Sequence, residues 1–153
     1  MNLSESYKNR IQELSGIEKT KITNINGDIF YHQTDCKNVE SIKKNGFKTS
    51  LHTGQARFTH GVYFLNHPQG LYGNCTLQAN LYGNFLDFRD PNDMLGDKWI
   101  NFKDSYNYNN DIDLTEKIRK NYPNVDGLIF DNLLVVWYPE MSVQNIKEYN
   151  SRN

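Results

Sequence analysis

Apolar residues along this chain recur at short and changing intervals, so the pattern predicts many brief elements. Tyr7, Ile11 and Leu14 fall at i, i+4 and i+7 behind Ser4, which reads as a short capped helix ended by Gly16. Ile22–Ile25 alternates, Asn26-Gly27 signals a turn, and Asp28–Thr34 carries the β-branched and aromatic residues of a strand. Asp35 is placed to cap a helix over Lys37–Asn45 with Val39 and Ile42 inward, stopped by Gly46 and followed by Phe47 as an anchor. Lys48–His60 shows no period and reads as a loop; Gly61–Leu65 is a short apolar strand, broken by His67-Pro68-Gln69-Gly70. Thr76–Leu81 and Phe85–Phe88 read as two strands, and Arg89–Asn110 as the least structured stretch, a lid or surface insertion. Leu114, Ile118 and Tyr122 mark a helix with Asp113 and Glu116 as a cap-like pair, ended by Pro123. Leu128–Phe130 and Leu133–Tyr138, joined by Asp131-Asn132, are the last strands. Short strands with two or three helices make the fold class α+β.

Composition narrows the function classes. A chain of 153 residues fits one domain, with 1–20 as an N-terminal helical segment and 28–146 as the core. Lys+Arg of 17 against Asp+Glu of 18 gives a net charge of -1, which argues against a duplex-binding domain with a basic face. Met1–Ser15 is polar, so no signal peptide is expected, and the longest apolar run, Leu133–Tyr138, is too short to cross a bilayer. The reading is a cytoplasmic chain without membrane contact. Cys36 and Cys75 are then expected as two buried, reduced thiols.

Three segments carry the candidate chemistry: Tyr31-His32-Gln33-Thr34, followed by a helix ending Asn45-Gly46-Phe47; Gly61-Val62-Tyr63-Phe64, followed by Tyr72; and Leu133-Leu134-Val135-Val136-Trp137-Tyr138-Pro139, preceded by Asp126-Gly127-Leu128-Ile129. In order and spacing they resemble the ADP-ribosyltransferase family, in its histidine–tyrosine–glutamate branch. The resemblance covers residues 28–146 and is weakest over Arg89–Asn110. It implies a split antiparallel sheet with short flanking helices and an NAD cleft between two half-sheets. It also implies NAD as co-substrate, no metal, release of nicotinamide, and transfer of ADP-ribose to a macromolecular acceptor, with protein favoured over nucleic acid. By the same resemblance His32 bonds a hydroxyl of the nicotinamide ribose, the Gln33 backbone pairs with the carboxamide, and Thr34 supports the sugar contacts. Tyr63, beside Gly61, and Tyr72 enclose the flat ring.

Leu133 stands where the family's catalytic glutamate belongs, and leucine supplies no carboxylate. Transfer of single ADP-ribose units is what remains, because chain elongation needs a base to activate a ribose hydroxyl. Asp131 is a weak substitute, about 6.6 Å along a strand from Leu133; Glu140 is a weaker one. The alternative is an impaired relative that binds NAD or ADP-ribose, or sequesters a partner. Size and architecture resemble monomeric toxins, effectors and phage-encoded modifiers. Arg57 is a candidate phosphate contact, in the same loop as His52. His60 and His67 read as loop residues without a third metal ligand, Trp99 and Trp137 as core anchors, and Asp87, Asp90, Asp93 and Asp97 as a solvated acidic cluster.

Overall fold

A computed structural model describes residues 20–48, 57–68 and 74–149. The elements are β1 (Lys21–Asp35), a 3-10 turn (Cys36–Asn38), α1 (Val39–Asn45), β2 (Val62–Leu65) and β3 (Asn74–Asp87). They continue with α2 (Asp97–Asp104), α3 (Asp111–Asn121), β4 (Gly127–Ile129), β5 (Leu133–Val136), α4 (Pro139–Ser142) and β6 (Val143–Glu148). The expected helix at Ser4–Leu14 lies outside the described residues, as do Tyr72 and His52.

The class is α+β, as expected, but the sheet is not split. Five strands form a ring in which β1 pairs with β2, β2 with β5, β5 with β4, β4 with β3, and β3 with β1 again; β6 is an appendage on β3. Among the described strands only the β3–β4 contact is parallel. Closure follows from strand length. β1 and β3 stay in register from Lys21↔Asp87 to Asp35↔Asn74, and Tyr31 of β1 also pairs with Leu65 of β2, joining the edges that would bound an open cleft. Long, twisted strands with a bulge coil enough to close a small barrel.

That bulge is where the turn at Asn26-Gly27 was expected. Gly27 has φ +92° and β1 passes through it, because both flanking segments pair with β3 and not with each other. Similarly, Thr76–Leu81 and Phe85–Phe88 merge into one strand. Gly83 between them takes φ +141°, and a Cβ there would run into the Asp126 carboxylate at 2.6 Å.

Strand alternation divides the apolar residues into two layers. The inner core draws on all five strands of the ring, through Ile25, Phe30, Phe64, Leu77, Leu81, Phe85, Ile129 and Leu134, and is plugged by Val39 and Phe47. The outer layer packs Leu86, Leu128 and Val135 against Trp99 of α2 and Leu114 and Ile118 of α3. Arg89–Asn110 is therefore no loose lid: it contains α2, and Trp99 is 6% exposed. α3 begins three residues before the expected start, at Asp111, capped by Asn110, whose side chain accepts from the Asp113 N–H at 2.9 Å. Leu114 and Ile118 face inward as the spacing predicts.

Cys36 and Cys75 are joined in a disulfide, which overturns the expectation of two reduced thiols. The register explains it: Thr34 pairs with Cys75 at the last rungs of the β1–β3 ladder, so the turn after β1 brings Cys36 onto its partner. Asp87 is not solvated either. It lies buried at the end of β3, accepts from Thr23 at 2.6 Å and pairs with Arg89 at 2.7 Å. Burial pushes its carboxyl up, but the hydrogen bonds from Arg89 and Thr23 and the Arg89 charge outweigh that and hold it at about 2. No group of acidic, histidine or cysteine side chains suited to a metal ion occurs among the described residues. No helix among them is long and apolar enough to cross a membrane.

Candidate functional site

β1 turns His32 inward. Its Nδ1 lies 2.7 Å from the main-chain carbonyl of Tyr63 on β2. A carbonyl only accepts, so Nδ1 carries the proton and Nε2 keeps a lone pair. The ring stands edge-on to Phe47, with centroids 4.9 Å apart, and tilted against Phe64 at 5.5 Å. Burial lowers the imidazole pKa, and the bond to Tyr63 only partly opposes this. His32 is thus a neutral imidazole with a fixed tautomer, and its hydrogen bond among the described residues is made by Nδ1.

Tyr63 is built differently. Tyr63 and Phe64 are adjacent on β2 and point to opposite faces, Phe64 into the inner core and Tyr63 into the outer layer. The Tyr63 hydroxyl donates to the Thr59 carbonyl at 2.7 Å and accepts from the Phe58 N–H at 3.0 Å. Burial pushes the phenol up, and the Phe58 bond opposes it. The structure therefore brings His32 to the main chain of Tyr63 and leaves imidazole and phenol on opposite faces of the sheet.

The other expected residues are spread around these two. Gln33 and Thr34 follow His32 on β1, opposite Thr76 and Cys75. Leu133 pairs with Leu65 and packs on the outer layer, on the Tyr63 side. Asp131 is not on a strand; it sits exposed in the turn between β4 and β5, where its carbonyl accepts from Asn66. Its charge is felt by Arg89. Glu140 is exposed in α4. Arg57 is exposed, with its guanidinium 5.1 Å from the Phe58 ring centroid. Gly61 has a packing reason of its own: a Cβ there would meet the Val136 carbonyl oxygen at 2.7 Å.

Sequence reasoning missed the polar network that fixes residues 57–61. Thr59 is fully buried because its hydroxyl accepts from the Trp137 indole at 2.9 Å. The His60 N–H donates to Thr115 Oγ1, which in turn donates to the Asp111 carbonyl. His60 is half-buried, and its Nε2 is buried without a hydrogen bond among the described residues. A threonine in a polar loop carries no sequence signal for such a role; the partner lies 78 residues away. No protein-family model, curated protein or solved structure matches the chain.

Proposed function

We propose that this chain is a mono-ADP-ribosyltransferase that moves ADP-ribose from NAD to a macromolecular acceptor, most simply a protein, and releases nicotinamide. The reading rests on the motif order and spacing, and one structural observation carries it. His32, the first motif's histidine, is held neutral in one tautomer, with Nε2 left as the acceptor that a ribose hydroxyl requires. In the same reading the chain works as a monomer in the cytoplasm, NAD is its co-substrate, and Gln33, Thr34, Arg57, Gly61, Tyr63 and Tyr72 are its candidate NAD contacts. The split sheet and NAD cleft of the resembling family form no part of this proposal, because the ring of strands is closed.

A second reading is favoured by specific observations. Leu133 replaces the carboxylate, Tyr63 spends its hydroxyl on Phe58 and Thr59, and its phenol lies across the sheet from His32. These fit a relative that holds NAD or ADP-ribose without turning it over.

Incubation with labelled NAD and a cell lysate separates the two. Labelled macromolecules that vanish in His32→Ala support transfer. Leu133→Glu, which installs the family's carboxylate at a partly exposed position, is expected to raise transfer by about 10²–10³. NAD-dependent thermal stabilisation without labelling supports the binder. Neither signal removes both readings.

A further inference from the structure

We propose that the Cys36–Cys75 disulfide is a redox latch beside His32: closed, it holds residues 36–47 so that Phe47 packs against one edge of the half-buried imidazole, and its reduction loosens that segment and exposes more of the ring. The two halves of the bond are held unequally. Cys75 lies in β3, in register with Thr34. Cys36 is exposed and opens the 3-10 turn leading into α1. From there to Phe47 the segment is held to the inner core at Val39, Ile42 and Phe47, while Glu40, Ser41, Lys43, Lys44 and Asn45 are exposed. The segment ends at Gly46 (φ +79°) and Phe47, whose ring packs edge-on to both His32 and Phe64. The disulfide is thus the covalent tie at the start of a short arm whose far end packs edge-on against the half-buried imidazole.

The reaction needs a dithiol reductant. It delivers two electrons and two protons, the S–S bond breaks, Cys36 and Cys75 become thiols, and the reductant leaves as its own disulfide. Exposure of Cys36 gives the attacking thiolate a sulfur to reach. The inference needs no nucleotide and does not rest on the transferase reading.

The test compares oxidised protein, protein reduced with a dithiol, and the Cys36→Ser/Cys75→Ser double variant, all without NAD. Carbethoxylation of His32 by diethyl pyrocarbonate is followed by mass spectrometry, with exposed His67 as internal reference. Amide exchange is read in parallel over residues 36–47 and over β3. The expected result is a several-fold faster modification of His32 and faster exchange confined to 36–47, in both the reduced protein and the double variant. Equal rates in all three states overturn the latch. So does loss of near-UV circular dichroism and of β3 protection on reduction, which makes the bond a global staple. Free thiols at both positions in unreduced protein overturn it as well. Failure of NAD binding leaves this readout untouched.

Discussion

The inner core around His32 and the outer layer around Tyr63 are both rich in aromatic rings, yet they treat polar atoms in opposite ways. In the outer layer, the Tyr63 hydroxyl, the Thr59 hydroxyl and the Trp137 indole are bonded to one another's segments. Such a network orders a loop and makes its members costly to remove singly. In the inner core the imidazole of His32 is anchored, among the described residues, at one nitrogen only. Bonded polar atoms here serve architecture. A neutral nitrogen with an open lone pair is what a ligand can use, and among the described residues the buried His60 Nε2 departs from this division.

The comparison can be broken at either core. The largest effect is expected from Phe64→Ala. It removes a fully buried ring that packs on His32 and Phe47, and it should cost about 3–5 kcal/mol in urea unfolding. A smaller loss would mean that the inner core collapses around the missing ring.

Next comes Asp87, where β3 leaves the barrel. Its folded-state pKa lies below the unfolded one, so its contribution is complete above pH about 4 and is lost as pH falls through about 2. The contribution amounts to about 2 kcal/mol. Unfolding measured between those pH values should be steeper for the natural protein than for Asp87→Asn; parallel curves would deny Asp87 this role.

Tyr63→Phe keeps the ring and deletes the hydroxyl. The expected loss is about 1 kcal/mol, with no increase in carbethoxylation of His32, because phenol and imidazole lie on opposite faces. A rise in His32 modification would show that the two layers communicate.

The smallest effect is the pH response of His32 itself. Burial lowers its folded-state pKa, so its stabilising contribution is complete above the unfolded pKa of about 6.5 and is lost as pH falls through the lower folded value. In His32→Asn the decline of stability just below that pH should flatten. An unchanged decline would place the imidazole in water.

Much of the secondary structure was legible because its signals are local. Gly46 after Asn45 ends α1, the Leu114/Ile118 spacing gives α3 its buried face, and β2 is a run of apolar residues. β6 was missed because only two of its six residues are even half-buried, and no alternation marks it. The Asn26-Gly27 signal failed because glycine serves a bulge as well as a turn, and the choice depends on β3, some fifty residues later. His32 and Tyr63 could be singled out from their motifs. Which faces they occupy could not, since a side chain's partners are set by strands that pair across the chain.

The amino-acid sequence by itself determined the class α+β, the near-neutral charge, the short elements and an apolar side chain at Leu133. Those follow from residue chemistry and from neighbours within a few positions. Tertiary structure alone decided that the sheet closes into a ring, that Cys36 meets Cys75, that Thr59 is buried under Trp137, and that imidazole and phenol part company. Each of these depends on the register of distant strands, where a shift of one residue moves every side chain to the other face.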